Sequence, residues 1–224
     1  DRIRENQLNA SSTDITFYDR ISACVLDSRG VLKLESLKKL ASDFYIDTLF
    51  YDQNACTSTK QIFWLGDSAA IDKAKSIFWE EFHREMIRRS YSFPENSTVG
   101  KVTTIMEKLA SGEPLSPVKF ESSLNPLINV GFRNGIDINE NDFVRAGLFF
   151  ETSISALPEI SKFMTKRHQT LSHFGLDKAE LRHFIVSMGP NIDRIVPVGR
   201  TMDFSLTWDG YDLISTLSRS IDLV

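Results

Sequence analysis

The sequence has little cysteine and no long apolar run, and each absence narrows the class of protein. Cys24 and Cys56 are the only cysteines among 224 residues, so no disulfide framework is predicted and a reducing, cytoplasmic compartment is expected. No stretch approaches the roughly 20 apolar residues of a membrane-spanning helix, and the segment that opens at Asp1 lacks the apolar region of a signal peptide. We therefore expect a soluble protein that is neither exported nor inserted in a membrane.

Positive charge and the familiar nucleotide motifs are also scarce. The formal net charge is -4, the pI is about 5.6, and no block of Lys or Arg offers a surface for nucleic acid or anionic lipid. The chain contains no G-x-S-x-G, G-x-x-x-x-G-K-[ST] or G-x-G-x-x-G pattern. These are the commonest sequence signatures of serine hydrolases, P-loop enzymes and self-contained dinucleotide sites. We predict no nucleic-acid partner and assign no cofactor-binding residue.

The four histidines do not indicate a metal centre. No pair has the i, i+4 spacing of a zinc-binding helix, so no metal ligands are predicted. His168 and His173 are five residues apart on a predicted helix over 158–173, which puts them on different faces. A ligand or acid/base role for either is the alternative to a solvated helix surface.

The order of apolar patterns predicts the fold class. Strands are predicted at 21–26, 61–65, 127–132, 148–154 and 192–199, and helices at 34–45, 68–89, 102–109, 158–173 and 177–188. Because strands alternate with helices, we expect an α/β fold with a mostly parallel sheet covered by helices on both faces. Arg133-Asn134-Gly135 predicts a tight reversal between the third and fourth strands. Basic residues of the 68–89 helix alternate with acidic ones, which predicts an ion-paired, solvated face.

Cys56 is the candidate nucleophile. It follows Asp52-Gln53-Asn54-Ala55 and precedes three hydroxyl residues and Lys60, a polar neighbourhood unlike that of a core cysteine. The thiolate is the reactive form of cysteine, so backbone amides and side-chain donors converging there would favour chemistry. An inert loop cysteine is the alternative on composition alone. Cys56 enters its strand from the amino end, so the rule that α/β sheets bind ligands at their carboxyl ends does not select it.

Three stretches of the chain together resemble one family. They are 50–64 around Cys56, the segment Arg167-His168-Gln169-Thr170-Leu171-Ser172, and the run from Asp193 to Leu213 with Trp208-Asp209-Gly210-Tyr211-Asp212 near its end. In this order they are similar to LuxC, the fatty acyl-CoA reductase of bacterial light-producing systems, itself similar to aldehyde dehydrogenases. In that superfamily the nucleophile closes a Gly-Gln-x-Cys type of motif. Here Asn54-Ala55-Cys56 holds that place, with the glycine and glutamine replaced.

The resemblance implies NADPH-dependent reduction of a long-chain acyl group to the aldehyde, through an acyl thioester on Cys56. The thiolate would expel coenzyme A or a carrier thiol, and a hydride would then give a thiohemiacetal that collapses to aldehyde. The Cys56 backbone N–H and the Asn54 amide are the expected donors to the oxyanion. Oxidising relatives carry a general-base glutamate where this chain has Thr16-Phe17-Tyr18-Asp19. Loss of that base suits a reductase, because no carboxylate would direct water to the acyl-enzyme.

The resemblance covers the family's later half and implies a domain plan. We expect 1–30 to be the end of a nucleotide-binding domain, 31–200 to be an aldehyde-dehydrogenase-like catalytic domain and 201–224 to be a C-terminal segment. The first residue is Asp and not Met, which is typical of a piece of a longer protein. The strand near residue 21 would then be left from the nucleotide-binding domain.

The resemblance also implies partners. They are a long-chain acyl-CoA or acyl-carrier substrate, acyl-protein synthetase and acyl transferase subunits, and further copies of the chain in a homo-oligomer.

Two other functions stay open. One is a cysteine-dependent acyltransferase or thioesterase that needs no nicotinamide, and the other is a truncated, non-catalytic assembly module.

Overall fold

The computed structural model describes residues 5–10, 12–17, 19–112, 127–132, 138–139, 141–188 and 191–222. The chain divides into two compact units. The smaller comprises Asp1–Tyr18 with Phe204–Val224, and the larger comprises Asp19–Asp203. Cys56 and the main sheet belong to the larger unit.

The larger unit alternates strands and helices, as the sequence predicts. Its strands are β1 (Ile21–Asp27), β2 (Thr59–Leu65), β3 (Ile128–Gly131), β4 (Leu148–Ile154), β5 (His168–Phe174) and β6 (Arg194–Pro197). Its α-helices are α1 (Ser28–Leu32), α2 (Lys38–Asp47), α3 (Ser68–Arg88), α4 (Ser97–Ala110) and α5 (Lys178–Met188), with 3₁₀ helices at Leu49–Tyr51 and Leu157–Lys162. Helix α3 begins where predicted because the Asp67 carboxylate accepts a hydrogen bond from the Ala70 N–H at 2.9 Å.

The six strands form one parallel sheet in the order β3-β4-β2-β1-β5-β6. Alternate residues of the central strands face opposite cores. One core contains Cys24, Leu26, Ile62 and Trp64 packed with residues of α2 and α3, and the other contains Ala23, Val25, Phe63 and Leu171 packed with Leu157, Ile160 and Phe184. The predicted α/β class, with a mostly parallel sheet covered on both faces, is confirmed.

The prediction of a helix over 158–173 is wrong. This stretch forms the 3₁₀ helix Leu157–Lys162 and then strand β5, which pairs with β1 on one side and β6 on the other. The spacing of Ile160, Phe163, Met164 and Leu171 imitates a helical period. Residues 168–172 are nevertheless all buried, although four of the five are polar, as an interior strand of a parallel sheet requires.

Two smaller predictions also need correction. The turn Arg133-Asn134-Gly135 lies outside the described residues, but the tight reversal predicted between its flanking strands is wrong, because β3 and β4 run parallel. Helix α4 starts at Ser97, before the predicted residue 102, and α2 starts at Lys38, after the predicted residue 34. Strand β6 lies at an edge of the sheet, where Pro197 costs no ladder hydrogen bond.

Strand β1 lies inside the sheet, between β2 and β5. The predicted domain boundary at residue 30 would separate it from both neighbours, and the pairing gives no reason for that separation. The division into 1–30, 31–200 and 201–224 stays a prediction.

The smaller unit is built around a two-stranded ribbon. Strand β7 (Thr207–Trp208) pairs antiparallel with β8 (Tyr211–Asp212), and α6 (Leu213–Leu217) follows. Asp209 and Gly210 have positive φ angles of 49° and 78°, as a two-residue hairpin turn needs. Asp212 caps α6 through the Ile214 and Ser215 N–H groups. The Trp208-to-Leu213 run of the sequence is therefore accounted for by local structure.

Candidate functional site at the amino edge of the sheet

The loop that carries Cys56 connects the 3₁₀ helix Leu49–Tyr51 to β2. Asp52 and Gln53 both adopt left-handed backbone conformations, with φ of 52° and 59°, and they reverse the chain after that helix. The Ser58 N–H donates to the Ala55 carbonyl at 3.0 Å, which closes a short turn around Cys56. Strand β2 then begins at Thr59, so Cys56 lies at the amino edge of the parallel sheet.

The Cys56 side chain is exposed, whereas its backbone is anchored. The Ser22 hydroxyl, at the start of β1, donates to the Cys56 carbonyl oxygen at 2.8 Å. Within the described residues no hydrogen bond uses the Cys56 backbone N–H. An exposed thiol and an unengaged backbone donor are thus present on one residue.

Asn54 lies beside the cysteine, as the sequence requires, and is exposed. Its Oδ1 accepts a long hydrogen bond of 3.3 Å from Nη1 of Arg145, a residue that precedes β4. Because the carbonyl end of the amide faces Arg145, the Nδ2 end is the one left to face a ligand. A catalytic role for Asn54 and Cys56 stays a prediction.

Cationic side chains surround this edge of the sheet. Lys60 of β2 is half-buried, and its pKa is lowered mainly by burial and then by Arg145, with a smaller contribution from Arg167. Asp19 and Cys56 act on Lys60 in the opposite direction, which places the thiol within electrostatic reach of the ammonium group. Asp19 is held in an ion pair by Arg167. The sequence indicated Lys60 but gave no signal for the two arginines, since they come from segments far along the chain.

An apolar depression adjoins the cysteine loop. Its volume is about 630 Å³, and it is lined by Phe50, Tyr51, Asp52, Asn54, Ala55 and Met202. Phe50 and Tyr51 are 57% and 53% exposed and meet edge to face at 4.9 Å. Exposed aromatic side chains beside a thiol offer apolar surface to a ligand.

A buried carboxylate holds the segment that brings Met202 to the depression. Asp47, at the end of α2, accepts hydrogen bonds from the Gly199 N–H at 2.6 Å, the Thr201 N–H at 3.1 Å and the Thr201 hydroxyl at 2.9 Å. Burial raises the pKa of Asp47 to about 6, although these donors act to lower it. The Thr57 hydroxyl donates to the Met202 sulfur at 3.3 Å, which joins this segment to the cysteine loop.

Cys24 and the two histidines considered from the sequence, His168 and His173, lie in strands of the sheet. Cys24 is fully buried, and burial raises the pKa of its thiol far above the ordinary value. His168 is buried in β5, with Nε2 2.9 Å from Gln61 Oε1 and Nδ1 accepting from the Thr165 N–H at 3.0 Å. Burial lowers the pKa of His173. Among the described residues, no group of three or more His, Cys, Asp or Glu side chains is arranged to hold a metal ion.

Comparison with protein families adds an independent observation. Residues 1–108 match the model of a family described as acyl-CoA reductase (LuxC). The chain resembles the LuxC family. Of the three stretches that suggested LuxC, the match includes 50–64 with Cys56, and the other two lie beyond the matched residues. No curated protein matches the sequence.

Solved structures with the same fold are aldehyde dehydrogenases. Lactaldehyde dehydrogenase from Escherichia coli is 9% identical with a TM-score of 0.51, and the match covers 84% of this chain and 41% of that one. Indole-3-acetaldehyde dehydrogenase complexed with NAD⁺ is 8% identical with a TM-score of 0.50, covering 84% and 39%. Such low identity shows the fold alone, and the LuxC-like chain spans about 40% of the length of these structures. No described helix is both long and apolar enough to cross a bilayer.

Proposed function

We propose that the LuxC-like chain is the acyl-accepting part of an NADPH-dependent reductase. The enzyme would convert long-chain fatty acyl-CoA, or an acyl-protein, to fatty aldehyde for bacterial bioluminescence through a thioester on Cys56. The observation that carries the proposal is the exposure of the Cys56 side chain beside the apolar depression lined by Phe50, Tyr51 and Met202. The aldehyde-dehydrogenase-like fold and the LuxC match support an oxidoreductase that acts on aldehyde-level carbon.

The acyl transfer can be derived from the residues of the loop. The Cys56 thiolate attacks the carbonyl carbon of the acyl thioester, forms a new C–S bond and moves the carbonyl electron pair to oxygen. The Cys56 N–H and Asn54 Nδ2 are the proposed donors to that oxyanion. Collapse of the tetrahedral adduct restores the carbonyl and breaks the bond to the carrier sulfur, which leaves as a thiolate and takes a proton from solvent.

The cationic residues around the loop favour two negatively charged groups in this step, the thiolate and the thioester carrier. Lys60, Arg145 and Arg167 lie at the same edge of the sheet as Cys56, and positive charge stabilises a thiolate and a negatively charged thioester carrier. Asp19, the carboxylate of the segment where oxidising relatives carry a base, is engaged by Arg167. A carboxylate held in this way is poorly placed to activate water, so the acyl group would persist on Cys56.

Carboxylates occupy two of the helix ends at the carboxyl edge of the sheet. Helices α3 and α5 start behind Asp67 and Asp177, whose carboxylates accept hydrogen bonds from the first turns of these helices. Negative charge therefore occupies the helix ends that could bind phosphate. In the proposal NADPH supplies a hydride from a site outside the described residues, and we derive no step through it. The proposed domain plan, with a nucleotide-binding domain ending at residue 30 and a catalytic domain after it, belongs to the same proposal.

The partners follow the same proposal. The acyl group would be delivered by acyl-protein synthetase and acyl transferase subunits, and the reductase would form a homo-oligomer. Mixing the full-length protein with each subunit and measuring co-elution tests this part separately. Co-elution of neither subunit contradicts the proposed partners and leaves the chemistry of Cys56 untouched.

The central experiment is covalent labelling of the full-length protein with radiolabelled tetradecanoyl-CoA. We expect mass spectrometry to find the acyl group on the Cys56 peptide, and NADPH to discharge it as tetradecanal. Cys56→Ala should take no label, whereas the matched variant Cys24→Ala should be labelled like the wild type. Label on another peptide contradicts the assignment of Cys56. Label on Cys56 that leaves only as the free acid supports a thioesterase.

A further inference from the structure

Gln53 lies three residues before Cys56 and is completely buried. Its Nε2 donates to the Thr59 carbonyl at 3.0 Å and to the Leu148 carbonyl at 3.1 Å, and its Oε1 accepts from the Gly147 N–H at 2.6 Å. Both amide hydrogens and the amide oxygen are therefore used. A buried amide whose groups are all hydrogen-bonded requires these particular partners, because each group left unpaired would cost desolvation free energy.

The three partners of Gln53 belong to two different segments. The bond to Thr59 spans the cysteine turn and joins its start to the first residue of β2. The bonds to Gly147 and Leu148 join the same turn to the start of β4. Cys56 therefore lies inside a closed loop whose two ends are fixed to each other and to a neighbouring strand.

The segment that receives Gln53 is itself fixed. The Ala146 N–H donates to the Asp52 carbonyl at 2.9 Å, and the Asp52 carboxylate accepts from the Tyr91 hydroxyl at 2.5 Å. The Ala146 carbonyl accepts from Nζ of Lys101 at 2.7 Å, and burial lowers the pKa of Lys101 to about 8. Gln53 is thus attached to a rigid support.

We propose that Gln53 is a positioning residue for Cys56: its side chain fixes the backbone of the cysteine turn, and with it the direction in which the Cys56 N–H and thiol are presented to a substrate. The inference rests on the proposed acylation of Cys56. Asp52 and Gln53 occupy left-handed conformations that non-glycine residues adopt at a cost, so the loop holds this shape only because contacts impose it. An oxyanion donor must stay within a fraction of an ångström of its working position. The Gln53 amide, together with Ser22, supplies that constraint.

Gln53→Glu tests the role with almost no change of shape. The carboxylate still accepts from Gly147 but places negative charge against the Thr59 and Leu148 carbonyls. We expect the rate of Cys56 acylation at pH 8 to fall about 10- to 100-fold, as for a misplaced catalytic group. As the pH is lowered, the buried carboxyl takes up a proton and donates to one carbonyl again, so the acylation rate relative to that of the wild type at the same pH should recover in part. The concentration of tetradecanoyl-CoA at half-maximal rate should change little.

A matched variant separates positioning from general damage. Gln61→Glu places a carboxylate at another buried glutamine of the same sheet, where the hydrogen-bond partner is His168 of β5. Its acylation rate should stay within about twofold of the wild type at equal folded fraction. Alkylation of Cys56 by iodoacetamide, which needs no oxyanion donor, should change little in either variant. Acylation that falls equally in both variants, or alkylation that falls with acylation in Gln53→Glu, overturns the positioning role.

Failure of this inference can be distinguished from failure of the proposed function. Wild-type protein that takes no acyl label contradicts the proposed function. Amide hydrogen exchange then tests Gln53 alone: residues 54–58 should exchange faster in Gln53→Glu than in the wild type and in Gln61→Glu. Labelled wild-type protein with equal acylation in Gln53→Glu contradicts only the role of Gln53.

Discussion

The two edges of the parallel sheet differ in charge and in what they present. At the amino edge, the exposed Cys56 lies within electrostatic reach of Lys60, and Arg145 and Arg167 act on the same lysine. At the carboxyl edge, a cavity of about 590 Å³ is lined by the ends of β1 and β2, the start of the Leu157–Lys162 helix and one face of α5. Its lining includes the apolar Leu157 and Phe184 and the carboxylates of Asp27, Asp67 and Glu180, together with Arg29 and His183.

The difference in charge bears on where a ligand would be favoured. Parallel sheets most often bind ligands at their carboxyl edge. Here the carboxylates of Asp67 and Asp177 already occupy the positive ends of α3 and α5, where an anionic ligand would otherwise be favoured. The amino edge has the opposite balance, with cations and an unengaged N–H beside a thiol. Chemistry that passes through a thiolate and an oxyanion is better supported at the amino edge.

The largest expected contrast is between the alkylation rates of the two cysteines. Native protein should react with iodoacetamide about a thousandfold faster at Cys56 than at Cys24, because Cys24 becomes accessible only when the structure opens. Burial also raises the pKa of the Cys24 thiol, which depletes its thiolate. The measurement is the rate of peptide-resolved alkylation by mass spectrometry. In denaturant the two rates should converge, and equal rates in the native protein would contradict the exposed amino edge.

The second contrast is a pH dependence caused by Asp47. Its pKa of about 6 in the folded chain lies above the ordinary 3.8, so between these values the folded state binds a proton that the unfolded state has lost. The free energy of unfolding must therefore fall as pH rises through this window, by about 3 kcal/mol for this group. Asp47→Asn removes the ionisation and keeps one acceptor.

The measurement is urea unfolding of both proteins at pH 4 and pH 7. The wild type should lose stability relative to Asp47→Asn between the two values. A difference in unfolding free energy that stays constant with pH would show that Asp47 has the same pKa in the folded and unfolded states. A difference that grows in favour of the wild type at pH 7 would reverse the sign and contradict the burial effect.

Substitution of one glycine at each edge of the sheet distinguishes the two edges further. Gly147 at the amino edge has φ of 87°, and an added Cβ would lie 2.7 Å from the Phe93 ring. Gly66 at the carboxyl edge has φ of 145°, and an added Cβ would lie 2.1 Å from the Ser28 hydroxyl. Replacement of either glycine by alanine should cost about 1–3 kcal/mol, seen as a lower unfolding midpoint. Only Gly147→Ala should also slow acylation of Cys56, since the Gly147 N–H bonds to Gln53. Equal slowing by Gly66→Ala would show that the rate follows global stability.

The sequence predicts those parts of the fold whose signals are local. Helix α3 has a capping aspartate and a long apolar period, and β4 is an apolar strand, so the predicted bounds agree closely with the structure. Strand β5 fails because His168, Gln169, Thr170 and Ser172 are buried polar residues whose partners lie on other strands. No local pattern distinguishes such a strand from the end of an amphipathic helix.

The site divides in the same way. The exposure of Cys56 follows from its polar neighbours, which the sequence shows directly. From the sequence, Gln53 is recognised only as an amide close to Cys56, because its partners Gly147 and Leu148 are more than ninety residues away. Arg145 and Arg167 join the site for the same reason, since they precede β4 and β5 and these strands start at the edge where β2 starts.

The smallest expected contrast concerns single lysines at the two edges. Lys60→Met removes a half-buried cation within electrostatic reach of Cys56, whereas Lys178→Met removes an exposed cation at the start of α5. Because a nearby cation attracts an incoming anion, Lys60→Met should slow alkylation of Cys56 by the negatively charged reagent iodoacetate at pH 7.5 by about threefold, and Lys178→Met should leave the rate unchanged. Salt at 1 M should reduce the difference only in part, since screening is weaker for a half-buried charge than for an exposed one. Equal rates in both variants would mean that the amino edge favours Cys56 chemistry through exposure and hydrogen bonding, without a contribution from the charge of Lys60.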